Sequence, residues 1–370
     1  MTLNTPYRAI FCDLLSDQTI DILPLRDVQF DDYIGKAGSL SGTIPIPDKA
    51  IAERVRQVEE GRTAIYLERG GDLWWGGVIW TSTLQSSTRG VLTLGIQAAT
   101  FDSYAARRRI RNEINFTTPT DQLVIARKLW EDLQKTDDGN IRVRPGNDTS
   151  QVEVKRTAAW RDGDETLYSE ALEQLAALEN GFEHQIMVFR DPVTGERVRQ
   201  LRLGSPKIRT GATDLVFDRP GTILSYSFPR DATRGGTTAV ARGASVNNNA
   251  AAESRPLYSK PPAVAQDLLD GGWPRIDLSS DHNEITSQTT LDSLATATLA
   301  QARGAVLIPE ISIRLGGVVP PALLGRSARI RITDEWHPQG LDARYRIIGV
   351  KVSPPERGRP DTADLYLEEA

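Results

Sequence analysis

Over the first hundred residues the apolar positions fall in short runs separated by turn residues. The runs Tyr7 to Asp13, Thr19 to Leu23, Gly42 to Ile46, Arg62 to Glu68, Leu73 to Leu84 and Gly90 to Gln97 are rich in aromatic and β-branched residues, which predicts strands. Gly70-Gly71-Asp72 and Ser86 to Gly90 supply the turns. Only Lys49 to Glu59 changes period, setting Ile51, Val55 and Val58 on one face behind the cap Asp48. The pattern predicts a small barrel or sandwich carrying one short helix.

From Thr118 the spacing becomes helical. Thr118 reads as a cap, Pro119 suits the first helical position, and Leu123, Ala126, Trp130 and Leu133 share a face. A second helix over Thr166 to Glu179 stacks Leu167, Ala171, Leu175 and Leu178 and stops near Gly181. Phe182 to Phe189 and Arg197 to Leu203 then flank Asp191-Pro-Val-Thr-Gly195, the pattern of a hairpin. The middle of the chain therefore predicts a small α+β domain.

Between Arg234 and Pro262 the chain turns to Gly, Ala, Asn and Ser, including Asn247-Asn-Asn249, so long loops or one weak strand are expected. A third helix over Thr289 to Arg303 lines up Leu291, Leu294, Ala295, Thr298, Leu299 and Ala302 and ends at Gly304. Strands resume from there.

One pattern occurs twice. Gly61-Arg-Thr-Ala-Ile-Tyr-Leu67 and Gly325-Arg-Ser-Ala-Arg-Ile-Arg331 both open a strand with Gly-Arg, a hydroxyl residue and Ala. A second strand follows with Gly77-Val78 or Gly349-Val350, and a third with Leu92-Thr-Leu94 or Leu365-Tyr-Leu367. The main difference is a longer first turn, Asp334 to Ala343. Two spaced copies of a three-strand unit imply a duplicated barrel with other material inserted between; a chance likeness of short strands is the alternative. Ile65 and Leu67 of one copy correspond to Arg329 and Arg331 of the other, so the two barrels would face different neighbours.

These stretches, with Trp74-Trp-Gly-Gly-Val-Ile-Trp80, Gly181-Phe-Glu-His-Gln-Ile186 and Tyr345-Arg-Ile-Ile-Gly-Val-Lys-Val-Ser-Pro354, resemble the minor tail or baseplate-hub proteins of siphophages, especially actinobacterial ones. The resemblance spans most of the chain and rests on structural patterns, not a chemical centre. It implies two tube-type β-barrel domains per chain and a homotrimer forming a pseudo-sixfold ring. It further implies a hexameric distal tail protein or tail tube above, a tip or receptor-binding protein below, the tape-measure protein inside, and DNA passing without specific binding. It places the chain in the virion at the tail tip, and an end at Ala370 would leave little room for the long C-terminal extension, sometimes enzymatic, of some relatives.

Composition narrows the function. With 370 residues the chain expects more than one domain. A net charge of -5, from 44 basic and 49 acidic residues, gives no general grip on nucleic-acid phosphates. Cys12 stands alone, which excludes an internal disulfide or a multi-cysteine metal site and makes it a small buried hydrophobe. Met1 to Asp13 lacks the pattern of a secretory leader, and no apolar run approaches the roughly 20 residues of a membrane span, so no membrane anchor is expected.

Candidate chemistry is sparse. His184, His282 and His337 sit in no metal spacing, and no Gly-x-Ser-x-Gly elbow or phosphate loop occurs, so no catalytic residue, metal or cofactor is expected. Asp162, Asp164 and Glu165 read as acidic residues at a helix start. Trp74, Trp75 and Trp80 could stack on a wall polysaccharide, but strand alternation puts at least one face in a core and offers the other to a neighbouring subunit. Arg107, Arg108, Arg109 and Arg111 read as a solvated connection or an ion-paired subunit interface, and Arg329 and Arg331 as a basic strand face.

The expected architecture is α+β, β-rich and multi-domain: a tube-type barrel over 5–105, an α+β domain over 106–205, a second barrel from 206–240 and 305–370, and an inserted segment over 241–304. The expected role is a structural, non-enzymatic tail-tip hub. The alternative is a wall carbohydrate-binding or wall-degrading tail-tip protein with Trp74 to Trp80 as its sugar site.

Overall fold

The computed structural model describes residues 7–146, 148, 153–245, 255–283, 285–307, 309–315, 318–354 and 361–369; the Asn247 to Asn249 run lies outside them. The protein is β-rich and multi-domain, with 47% strand against 18% helix.

The first stretch forms β1 (Arg8–Asp13), β2 (Thr19–Leu23), β3 (Arg26–Tyr33), β4 (Ser39–Ile46), α1 (Lys49–Val55), β5 (Thr63–Arg69), β6 (Asp72–Ser86) and β7 (Leu92–Thr100). In β4, Leu40, Ile44 and Ile46 are buried while Ser39 and Ser41 face out, the alternation of a sheet with one covered face. β5 is buried along its whole length, which accounts for its unbroken apolar centre. The Asp48 side chain caps α1 by accepting the Ile51 N–H at 2.8 Å, as the sequence predicts. β3 escapes the sequence pattern because Asp27, Asp31 and Asp32 interrupt it; Phe30 and Asp32 are its buried residues.

The middle stretch holds β8 (Ile114–Asp121), α2 (Gln122–Leu133), β9 (Val143–Pro145), β10 (Lys155–Trp160), α3 (Tyr168–Ala176), β11 (Glu183–Arg190) and β12 (Arg197–Gly204). The expected helix start at Thr118 and Pro119 is corrected: both lie in β8, paired antiparallel with β10, and the cap is Asp121, which accepts the Leu123 N–H at 2.8 Å. A residue preceding proline favours extended backbone, so Thr118-Pro119 suits a strand. The expected helical face is the covered one: Leu123, Ala126, Trp130 and Leu133 are all buried. The 182–203 hairpin also forms, pairing Glu183↔Gly204 through Arg190↔Arg197.

The remaining chain forms β13 (Leu215–Arg219), β14 (Ile223–Ser227), β15 (Arg230–Asp231), β16 (Thr238–Ser245), β17 (Pro256–Tyr258), β18 (Ala263–Val264), α4 (Gln266–Asp270), β19 (Asp277–Asp281), α5 (Gln288–Gln301), β20 (Val306–Leu307), β21 (Glu310–Arg314), β22 (Ser327–Ile332), β23 (Leu341–Ser353) and β24 (Thr362–Glu369). The chain divides into two compact units. One comprises Met1–Leu172, Phe182–Tyr226 and Glu310–Ala370; the other comprises Glu173–Gly181 and Ser227–Pro309.

In the smaller unit, β16 pairs with β17 and β18 antiparallel and with β19 in parallel. This corrects the expectation of loops or a weak strand over 234–262. Ala239 and Ala241 of β16 are buried against Leu291, Leu294 and Leu299 of α5. A Cβ on Gly243 would stand 2.8 Å from Leu291 Cδ1, so small residues are what let this helix lie close to the strand.

The larger unit is built on a 13-stranded sheet whose main path runs β14-β21-β24-β23-β3-β4-β7-β6-β5-β1-β2, with β22 and β13 branching from β23. Strands from the two ends of the chain therefore share one sheet. They meet where Gly349, Val350, Lys351 and Val352 of β23 pair antiparallel with Tyr33, Asp32, Asp31 and Phe30 of β3. The β11–β12 hairpin packs on the same unit: Arg199 donates to the Tyr66 hydroxyl at 2.7 Å and to the carbonyls of Leu14 and Ile141.

Candidate assembly interface

The duplicated pattern has a matching geometry. Gly61 and Gly325 both take positive φ, 76° and 81°, a conformation that glycine adopts without strain. Gly61 N–H donates to the Ile79 carbonyl at 2.7 Å, and Gly325 N–H to the Ile347 carbonyl at 2.9 Å. Each second strand then carries a β-bulge toward its third strand at the next residue, Trp80 between Ile79 and Thr81 in one copy and Ile348 between Ile347 and Gly349 in the other. Thr81 thus matches Gly349, and Leu84 matches Val352. The pairing of Gly77-Val78 with Gly349-Val350 expected from sequence is out of register and is corrected by this alignment; the same holds for Leu92 to Leu94 against Leu365 to Leu367.

The match extends beyond three strands. β4 pairs β7 as β21 pairs β24, and β3 neighbours β4 as β14 neighbours β21. α1 joins β4 to β5, and a short 3₁₀ turn at Pro320–Ala322 joins β21 to β22. β2 leads to β3 through Pro24, and β13 leads to β14 through Pro220. The copies also differ in topology: among the described residues nothing equivalent to β1 separates β13 from β22, which pair directly in parallel, and the smaller unit is inserted where the first copy has only the Ile34 to Gly38 turn.

The two copies leave different edges. β23 is paired with β24 on one side, and on the other with β22 over Leu341 to Arg346 and β3 over Gly349 to Val352. β6 is paired with β7 through Ser86 on one side, but with β5 only over Asp72 to Val78 on the other. The far half of β6, from Thr81 onward, has no second partner strand among the described residues. Leu84 is 66% exposed there, whereas its counterpart Val352 is 0% exposed beside β3. Among the described residues β14 ends the sheet, with Leu224 at 38% exposure.

The predicted aromatic residues separate. Trp74 and Trp75 are buried; Trp74 meets the Tyr7 ring edge-on at 5.3 Å, and Trp75 Nε1 donates to the Asp31 carbonyl at 2.9 Å. Trp80 is partly exposed, donates to Ser103 Oγ at 2.8 Å and lies under Arg107 at 5.2 Å. No flat three-indole platform forms. The Gly76-Gly77 pair between them is a packing device: a Cβ on Gly76 would press on Tyr66 and Val188, and one on Gly77 would stand 2.1 Å from the Ala99 carbonyl.

Arg107, Arg108, Arg109 and Arg111 line one open pocket of about 560 Å³ with Lys135 and Asp132. Arg109 and Arg111 both pair with Glu165, whose carboxyl is held below its usual range by the Arg111 hydrogen bond, and Arg108 donates to the Tyr104 hydroxyl at 3.2 Å. Glu165 therefore serves an ion pair, and the Leu167 N–H at the start of α3 goes to Glu170 instead, which corrects the capping role expected of the 162–165 acids. Arg329 and Arg331 alternate with buried Ala328, Ile330 and Ile332; Arg329 grips Asp342 with two bonds at 2.7 and 2.8 Å.

Sequence reasoning missed the buried polar groups that tie the β11–β12 hairpin to the sheet. Arg346, 1% exposed, joins Glu183 and Glu368, with Nε to Glu368 Oε1 at 2.6 Å. Gln185 donates to Asp32 at 3.1 Å and the Ile186 N–H to Asp102 at 3.0 Å. Burial, with the nearby Asp102, drives the Asp32 carboxyl well above its usual range, and burial pushes Asp102 up to about 6. Burial likewise lowers His184 to about 4, leaving a neutral ring near neutral pH. Cys12 is a buried free thiol of β1. Among the described residues no group of His, Cys, Asp and Glu is arranged to hold a metal ion.

No family model matches the chain, and no curated protein matches it in sequence. Its structure matches those of phage tail proteins. The 43 kDa tail protein of prophage MuSo2 from Shewanella oneidensis is 10% identical, with a TM-score of 0.60 over 98% of each chain. The tail protein from Neisseria meningitidis MC58 is 13% identical, with a TM-score of 0.57 over 98% of this chain and 96% of that one. The prophage tail protein gp18 from Listeria monocytogenes EGD-e is 14% identical, with a TM-score of 0.54 over 97% and 94%. The chain has the fold of phage tail proteins, matched nearly end to end.

Proposed function

We propose that this protein is a structural, non-enzymatic hub of a siphophage tail tip, three copies of which form a ring. The observation that carries the reading is the duplicated strand unit joined into one continuous sheet: two equivalent units per chain give three chains six equivalent positions, matching a hexameric tail tube or distal tail protein above. A tip or receptor-binding protein would lie below, with the tape-measure protein and then DNA passing through the hole. A net charge of -5 suits a conduit that must release DNA. The fold shared over nearly the whole length of the three tail proteins supports a tail role.

The wall-binding alternative loses its platform, because Trp74 and Trp75 spend their indoles inside the chain. The deciding experiment is the mass of the purified chain, alone and with its tail-tube neighbour, followed by imaging of the largest species. A three-chain ring with six similar sheet segments is expected. A monomer under both conditions that binds or cleaves host envelope would overturn the hub reading.

A further inference from the structure

The geometry points to the free half of β6, Thr81 to Ser86, as the strand that pairs antiparallel with β14 of a second copy of this chain. The inference rests on the ring reading above and names its contact. Within one chain, the far half of β23 pairs with β3. The counterpart of β23 is β6 and the counterpart of β3 is β14, as the shared bulge positions and strand order establish. The joint that the chain makes once with itself is thus half-made at each of its two ends: a donor edge on β6, and an acceptor edge on β14 at the end of the sheet. Such edges template pairing with another chain.

Apolar side chains mark both edges. Leu84 is 66% exposed where its counterpart Val352, which sits in the internal joint opposite Phe30, is wholly buried, and Leu224 is 38% exposed on β14. The exposure of Leu84 is what a residue built for that joint shows when the neighbouring strand is missing. The contact is heterologous, edge β6 against edge β14, so an open string of copies keeps one unused edge at each end until the ring closes. A second copy is the occupant because the internal joint already shows which strand of this sequence fits the edge.

The test is crosslinking of full-length chains bearing Leu84→Cys, Leu224→Cys or both, with a short bis-maleimide, in the oligomer formed alone or on the tail-tube neighbour. Cys12 is buried and leaves the background low. Mixing the two single variants should give a covalent dimer absent from either alone, and the double variant should give a covalent species that stops at three chains. In parallel, Leu84→Glu should abolish assembly while the chain's circular dichroism stays unchanged. An oligomer that persists with Leu84→Glu and gives no mixed crosslink overturns the β6–β14 contact but leaves the ring reading standing. Self-crosslinking of Leu84→Cys alone would indicate a back-to-back dimer and overturn it as well. A wild-type chain that stays monomeric with and without its neighbour overturns both.

Discussion

Leu84 and Val352 hold the same position in the two copies of the repeat, yet Leu84 stands two-thirds exposed and Val352 is completely buried; β23 is flanked there by β3, and β6 by no second strand among the described residues. The difference lies in the neighbours and not in the strands themselves. It gives a repeat unit whose second copy completes a joint that the first copy leaves open.

The two positions should therefore respond differently to the same substitution. Val352→Glu buries an unpaired carboxylate and is expected to cost about 3 kcal/mol or more. Leu84→Glu should stay within about 0.5 kcal/mol of wild type in the isolated chain. Urea unfolding of both variants under monomeric conditions checks this; equal losses would mean that Leu84 is covered within its own chain.

Asp102 predicts a pH effect. Its folded value, about 6, lies above that of a free carboxyl, so the folded state binds its proton more tightly than the unfolded state does. Its contribution is complete below about pH 4 and is lost as pH rises through about 6. Asp102→Asn, which keeps an acceptor for the Ile186 N–H, should remove a stability slope on the order of 1–3 kcal/mol between these limits. Thermal unfolding of the variant and wild type across pH 4 to 7 measures it, and identical slopes would rule Asp102 out as the source.

Arg199 is 2% exposed and holds Asp17 at 2.8 Å, the Tyr66 hydroxyl and two backbone carbonyls. Arg199→Met removes the donor to the Tyr66 hydroxyl and to the two carbonyls, while Asp17 keeps Arg197 and the Tyr66 hydroxyl as donors, and should destabilise the larger unit by about 1–3 kcal/mol. Hydrogen exchange should show loss of protection concentrated in β11, β12 and β1. Uniform loss throughout the chain would mean that the arginine does not specifically fasten the hairpin.

Gly77→Ala should cost about 1–3 kcal/mol, since the new Cβ meets the Ala99 carbonyl and the Trp75 ring. Replacing Gly90, whose own Cβ would meet nothing within 4 Å, tests backbone strain without crowding. A larger loss at Gly77, read by denaturant midpoint, is the expected order.

The sequence by itself determined the local elements. Aromatic and β-branched content marked β4, helical spacing marked the buried face of α2, and the repeated Gly-Arg opening marked β5 and β22 as a duplicated strand. These are properties of neighbours along the chain, and their periods are written in side chains a few residues apart. It misjudged places where distant partners decide the backbone: Thr118-Pro119 lies in β8, which β10 pairs on either side of a register break there, β16 is laddered to β17, β18 and β19 with its small residues against α5, and Asp32 of β3 accepts from Gln185 of β11. The alignment of the two copies also needed the bulges at Trp80 and Ile348, which exist only once the third strands are paired. Only the tertiary structure decided that the far half of β23 is flanked by β3 while that of β6 has no second partner strand among the described residues, because an edge is defined by which strand fails to arrive, and no local sequence pattern carries that.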